Sequence, residues 1–206
     1  METENHEYRL KRTLDLVVGA GLLVVLIPVC LVTALAILLI DGRPVIFWQR
    51  RIGLDGRPFA FPKFRSMITD SQAHQAYVRE RQTRRTEDVT RKFPDDPRVT
   101  RFGRFIRRHS IDEIPQLLCV LRGDMSLVGP RPPTPEEAER YTEHQRRRLL
   151  VRPGLTGLWQ ISGRSDLSFH EQVELDLKYA RDRSLGLDMA ILLRTVPAVL
   201  TAKGAY

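Results

Sequence analysis

The run Leu16 to Ile40, "LVVGAGLLVVLIPVCLVTALAILLI", has 25 residues and no charge. A bilayer needs about 20 apolar residues to be crossed by a helix, so the run is long enough to span one. A cleaved leader is the poorer reading, because the run is long and no clear small-residue cleavage site follows it. Pro28 lies in its middle. It removes a helix hydrogen bond and crowds the preceding turn, so a kink is expected there. Each half of the run is then 12 residues, or roughly 18 Å of helix, and neither half alone crosses about 30 Å of hydrocarbon. Arg9, Lys11 and Arg12 precede the run, and Arg43, Arg50, Arg51 and Arg57 follow it. Basic flanks prefer the cytoplasmic side, so both ends favour the same face. A re-entrant helix-break-helix, broken at Ile27-Pro28, satisfies both facts. A kinked spanning helix is the other reading. The chain divides into a membrane-associated segment, 1–41, and a remainder, 42–206, expected to fold as a cytoplasmic domain.

The chain of 206 residues carries a net charge of +8, with 33 Lys and Arg against 25 Asp and Glu. Residues 1–15 hold three basic and four acidic side chains, so the excess lies beyond the apolar run. Anionic partners suit it: phosphates, nucleic acid or an acidic membrane surface. A solvated arginine-rich face explains most of these residues equally well. Cys30 and Cys119 fall in apolar contexts and suggest neither a disulfide framework nor a metal cluster.

"PVIFWQRRIGLDGRPFAFPKFRSM" reads as two strands around Asp55-Gly56, a hairpin signal. Lys63 and Arg65 close it, each a candidate for phosphate contact. Residues 70–98 are polar, with an exposed helix and then a loop expected. In "HSIDEIPQLLCVLRGDMSLVGPRP", Ile114, Leu117, Leu118 and Leu121 form a helical apolar stripe, and Gly123 is a stop. Ser110 and Glu113 fit a capping box, while Asp112 as N-cap places Pro115 in the first turn, where no donor is needed. Either way Asp112 and Glu113 stand at a helix start. Capping explains one carboxylate but not readily two. "MSLVGPRPP" and "VRPGLTGLWQISGR" read as loops carrying Arg131, Arg152 and Arg164. "TPEEAERYTEHQRRRLL" reads as helical. "SFHEQVELDLKYARD" reads as a helix capped by Ser168 and Glu171. "LGLDMAILLRTVPAVL" is a core helix or one in the membrane interface. His109 and Trp159 read as packing or surface. The fold class expected is α+β, a small, mostly helical domain with a hairpin and interfacial helices.

This ordered series resembles the bacterial sugar transferase family, the monotopic phosphoglycosyl transferases in their minimal catalytic form. The likeness runs from the basic N-terminus and interrupted apolar run through "PVIFWQRRIGLDGRPFAFPKFRSM", "SIDEIPQLLCVLRGDMSLVGPRP" and "VRPGLTGLWQISGR" to the apolar C-terminal helix. The resemblance implies transfer of a sugar-1-phosphate from a UDP-sugar to a polyprenyl phosphate, with release of UMP. It implies Asp112 as nucleophile and Mg²⁺ as cofactor, and it places Glu113, Lys63, Arg107, Arg131, Glu143 and Asp188 in the site. It also implies a monotopic protein of the bacterial inner membrane with its catalytic domain in the cytoplasm. Family members often carry Ser-Pro at the break, where this chain has Ile27-Pro28.

The residues suit that chemistry. A helix start offers free N–H groups to a phosphate. A carboxylate that takes up the phospho-sugar splits one hard transfer into two. Mg²⁺ fits hard oxygen ligands and phosphates, with Asp112 and Glu113 as its candidate ligands. Arg131 can grip phosphate with its fork. Glu113 either binds metal or caps. Lys63 and Arg107 each contact phosphate or serve structure. For Glu143 and Asp188 the resemblance is the sole reason. Membrane lipids are expected partners, a homo-oligomer is compatible, and nucleic acid is not expected, since few aromatics interleave the basic residues. The rivals are a membrane-tethered phosphohydrolase and a basic membrane-anchored binding protein.

Overall fold

The structure, a computed structural model, describes residues 2–68, 96 and 98–201. The helix and loop expected over 70–98 lie outside the described residues, apart from Asp96 and Arg98. Helix α1 runs Glu2–Ile40 and is helical through Pro28. Helical backbone thus continues across the expected break at Ile27-Pro28 and no separate second helix begins there; proline inside a helix bends it without ending it. A single proline costs one hydrogen bond, and the flanking turns hold the segment helical.

α1 touches the rest of the protein along most of its length. Near its start, Lys11 Nζ meets Asp188 Oδ2 at 2.5 Å. The Arg12 guanidinium donates to the carbonyls of Val120 and Leu121 at 2.7 and 2.8 Å. Buried Asp15 accepts from Ser126 Oγ and from the Leu127 N–H at 3.0 and 2.9 Å. Val18, Leu23 and Leu26 pack on the main core, and Ile37 is buried with Phe64 and Ile106. The other side is bare apolar surface, with Val17, Val24, Val25, Leu31, Val32 and Leu39 exposed. This is the one helix among the described residues long and apolar enough to cross a membrane.

The hairpin forms as its turn residues dictate. β1 (Ile46–Ile52) pairs antiparallel with β2 (Pro58–Phe64), in a register that sets Ile46 against Phe64 and Ile52 against Pro58. Asp55 (φ 55°) and Gly56 (φ 76°) supply the left-handed turn. Helix α2 (Arg101–Arg108) is capped by Thr100, whose hydroxyl accepts from the Gly103 N–H. A single 3-10 segment, Ile111–Gln116, then leads into α3 (Leu117–Arg122), which ends at Gly123 in the left-handed conformation. Neither capping alternative holds. Ser110 is itself left-handed and its side chain caps nothing, while Asp112 lies inside the 3-10 turn. Pro115 has no N–H to give an α-helix beginning before it.

Two segments read as loops are in fact paired. β3 (Ser126–Val128) and β4 (Gly154–Thr156) lie parallel. Each is three residues long, too short for a visible alternation. Glycines allow the approach: a Cβ on Gly154 would lie 2.0 Å from the Gly129 nitrogen, and one on Gly129 would lie 2.4 Å from the Arg152 carbonyl oxygen. The segment expected as one helix is two, α4 (Pro135–Glu139) and α5 (Glu143–Arg146), followed by a 3-10 turn. Thr134 with Glu137 and Thr142 with Gln145 form two capping boxes, so the chain restarts its helix at the second threonine. After β4 come α6 (Leu158–Ser162) and α7 (Phe169–Asp182), the latter capped by Ser168 and Glu171 as expected. α8 (Leu185–Thr201) buries Ile191 and leaves Met189, Leu193 and Val196 exposed. The main core joins Phe61, Leu117, Val120, Leu127, Tyr179 and Ile191 across these elements. The class is mixed helix and sheet, as expected.

Candidate active site

Asp112 and Glu113 sit side by side in the 3-10 turn, facing the end of β2. Lys63 Nζ donates to Glu113 Oε1 at 2.7 Å and stands 3.9 Å from Asp112 Oδ2. Arg131 Nη1 reaches the same Glu113 oxygen at 3.2 Å. Asp112 is 6% exposed. Two acids and two cations thus share one half-buried site, where low solvent screening strengthens each attraction.

The Arg131 loop is held from both sides. The Gly129 N–H donates to the Thr156 carbonyl at 2.9 Å, and the Gly154 N–H to the Pro130 carbonyl at 2.8 Å. From the hairpin, the Ile52 N–H donates to the Pro133 carbonyl at 2.9 Å and Arg51 Nη1 to the Pro132 carbonyl at 3.1 Å. Burial works against the Arg131 charge, yet the charge and hydrogen bond of Glu113 raise its pKa above the ordinary value. Arg51 is pulled down to about 10, by burial first and by Arg131 second. The Phe61 ring lies under both Lys63 and Arg51, at 5.5 and 5.4 Å.

No group of three or more His, Cys, Asp and Glu side chains suited to a metal occurs among the described residues. An all-protein metal cage is therefore not built there. Adjacent Asp112 and Glu113 fit a different type of site. Mg²⁺ commonly takes one or two carboxylates and completes its shell with water and substrate phosphate. The donor set suits the metal in that form.

A family model described as bacterial sugar transferase matches residues 6–202. The chain belongs to that family. Among its relatives is the galactosyl transferase CpsE of Streptococcus agalactiae serotype III, 49% identical over 168 residues, which cover 80% of this chain and 36% of CpsE. A UDP-galactose-lipid carrier transferase of Erwinia amylovora is 44% identical over 199 residues, covering 96% of this chain and 42% of the relative. The exopolysaccharide production protein ExoY of Sinorhizobium fredii is 40% identical over 198 residues, covering 95% of this chain and 88% of ExoY. The chain therefore spans less than half of the first two relatives.

Of the site residues that the likeness to this family implies, the structure brings together Asp112, Glu113, Lys63 and Arg131. Arg65 goes elsewhere. Its guanidinium donates to the carbonyls of Asp41, Gly42 and Arg43, tying down the exit of α1. Arg107 lies in the last turn of α2, where its charge acts on Asp96. Glu143 is exposed at the start of α5. It makes none of the hydrogen bonds around Asp112 among the described residues. Asp188 is buried. Beyond its pair with Lys11, it accepts from the Tyr179 hydroxyl at 2.7 Å. It anchors α1 to α7 and α8. His109 packs on Phe105 with ring centroids 4.9 Å apart, and Trp159 is buried, both as expected.

In the sequence Lys11 and Arg51 read only as basic flanks of the apolar run, and neither Asp15 nor a buried pair, Arg148 with Asp176, stands out. Arg148 Nη1 donates to the Tyr141 hydroxyl at 3.0 Å and Nη2 to Asp176 Oδ2. Burial raises the Asp176 carboxyl despite Arg148. The one available signal was an uninterrupted charge, Asp15, at the edge of an apolar run.

Proposed function

We propose that this chain moves a sugar-1-phosphate from a UDP-sugar to a polyprenyl phosphate, with Asp112 as the covalent carrier. The observation that supports it is the pairing of a buried Asp112 with Lys63, beside a Glu113 that Lys63 and Arg131 both hold. An Asp112 carboxylate oxygen attacks the β-phosphorus of the donor. The bond from that phosphorus to the bridging oxygen breaks, and UMP leaves with the electron pair. A phosphate oxygen of the lipid then attacks the same phosphorus, frees the Asp112 carboxylate and yields a lipid diphosphate sugar. Arg131 and Lys63 orient the diphosphate and offset its charge. Asp112 and Glu113 would hold Mg²⁺, which when bound neutralises charge on the phosphates.

The setting suits a reaction between a soluble anion and a lipid anion. α1 is tied to one domain at Lys11 and Asp15 and again at Ile37 and Asp41. Its outward face and that of α8 are apolar. This supports a helix that dips into one leaflet of the bacterial inner membrane and keeps both ends on the cytoplasmic side. The reading is tested by UMP release from a panel of UDP-sugars, starting with UDP-galactose, with and without polyprenyl phosphate. Release that produces a lipid-linked sugar only when the lipid is present in excess supports transfer. Steady release without lipid identifies a hydrolase and overturns the reading.

A further inference from the structure

Arg131 lies in a strap that is stiff within itself and pinned at its edges. Pro130, Pro132 and Pro133 each hold φ near one value, so the stretch 130–133 has few soft angles of its own. The aim of the Arg131 side chain therefore depends on where the carbonyls beside it are held. On one side the Pro130 carbonyl accepts from the Gly154 N–H. On the other the pins come from β1: the Ile52 N–H holds the Pro133 carbonyl, and the Arg51 guanidinium holds that of Pro132. Arg51 thus grips the residue directly after Arg131, and it does so with a side chain.

Arg51 is built into its place. Its side chain is 11% exposed. Nη1 donates to Pro132 and stands 3.7 Å from Glu137 Oε2 in α4, while Nη2 donates to Gln49 Oε1 at 2.9 Å. The same Glu137 oxygen accepts from the Thr134 N–H at 2.8 Å, so the residue that follows the strap shares this anchor. The strand register sets Arg51 against Phe59, Gln49 against Phe61 and Phe47 against Lys63. Arg51 and Lys63 therefore stand on one face of the hairpin, with the Phe61 ring as their common platform. Nη1 and Nη2 are committed to the frame of the site, and that frame carries both cations that donate to Glu113. A lysine could not replace this arginine, because one ammonium does not reach in the two directions that the planar fork serves.

We propose that Arg51 is a positioning residue for the transfer reaction: by holding the Pro132 carbonyl it aims the Arg131 fork at the phosphate taken up beside Asp112 and Glu113. This role rests on the reading of that site as one that grips the donor's diphosphate through Arg131. A displacement of about 1 Å in a positioning group can slow a reaction by roughly a hundredfold, so one such contact is enough to matter.

The test compares four full-length proteins: the intact chain, Arg51→Met, Arg131→Ala and the double variant. Methionine keeps an unbranched stem over Phe61 and removes the donors. Pyrophosphate titrated by calorimetry requires no turnover. Arg51→Met is expected to bind it roughly tenfold more weakly than the intact chain. Added to Arg131→Ala, the same substitution should change the affinity by less than about twofold, since the group it aims is gone. The same pattern is expected in kcat/KM for the UDP-sugar. A merely structural role would instead give equal losses in both backgrounds, and that result overturns the proposal. So does an unchanged affinity in Arg51→Met while Arg131→Ala binds weakly, and the reading of the site then stands. If Arg131→Ala binds pyrophosphate as tightly as the intact chain, the reading of the site fails and the role of Arg51 with it. Should Arg51→Met not fold, Arg51→Lys serves in its place. It keeps the charge and one donor, and a loss of about threefold is expected, again only where Arg131 is present.

Discussion

At the scale of residues, Glu113 Oε1 joins Lys63 to Arg131. Removing its charge frees both cations from their present geometry. Arg131 offers a planar fork, and lysine offers a point charge. Arg131→Lys is therefore expected to lower kcat/KM for the UDP-sugar by roughly tenfold or more, which corresponds to about 1.4 kcal/mol. A steady-state comparison on the same donor checks this, and an unchanged value would remove Arg131 from phosphate binding. The Asp112–Glu113 pair was legible in the sequence because two acids at a helix start exceed what capping requires. The placement of Asp188 was not. Its partner Lys11 lies 177 positions away, and nothing in the spacing of either residue shows the other. Arg65 misleads for a related reason. Strand alternation would set it on the same face as Lys63, two positions away, but β2 ends at Phe64, and past that end the carbonyls after α1 receive the Arg65 guanidinium.

Among the elements, those specified locally were readable. Asp55-Gly56 dictates the hairpin turn, Ser168 with Glu171 starts α7, and Gly123 stops α3. The parallel pair β3–β4 escaped notice because three-residue strands have no period and their contact depends on a partner far along the chain. What the sequence does carry is glycine at the points of closest approach. A Cβ on Gly154 meets backbone at 2.0 and 2.5 Å, which no side-chain movement relieves. Gly154→Ala is expected to destabilise by about 3 kcal/mol, judged by the cost of overpacking a tight site. That is roughly a 6–12 °C fall in melting temperature for a chain of this size. The loop bearing Arg131 should loosen with it. Thermal melts of the two proteins in the same detergent check this. An unchanged melting temperature would mean that the two strands are not so close.

For the whole molecule, α1 decides how the site meets its lipid substrate. A helix anchored to one domain near both ends cannot easily place those ends on opposite sides of a bilayer. Single cysteines at residues 5 and 55, in a background without Cys30 and Cys119, are expected to react with a membrane-impermeant thiol reagent from the cytoplasmic side alone. Labelling of residue 5 from the periplasm would establish a spanning helix. The apolar run and its basic flanks made a membrane role legible. Its unbroken course through Pro28 was not, because contacts with α3, β3 and the second core cluster support the helix on both sides of the proline. The charge balance of the site bears on metal use in the same way. Two carboxylates facing two phosphate-bearing substrates need more than fixed cations. EDTA is expected to abolish turnover and added Mg²⁺ to restore it, read by UMP release. Full turnover after exhaustive chelation would contradict that part of the mechanism.

The central claim is that Asp112 carries the phospho-sugar. The most direct measurement is intact and peptide mass spectrometry of the protein mixed with a UDP-sugar and no acceptor. The expected result is stoichiometric UMP, a mass increase equal to one sugar phosphate on the peptide containing Asp112, and loss of that mass when polyprenyl phosphate is added. Asp112→Asn should give no adduct and turnover lower by orders of magnitude. An absence of any adduct, with UMP appearing only when both substrates are present, would instead mean direct attack by the lipid phosphate and would contradict the account.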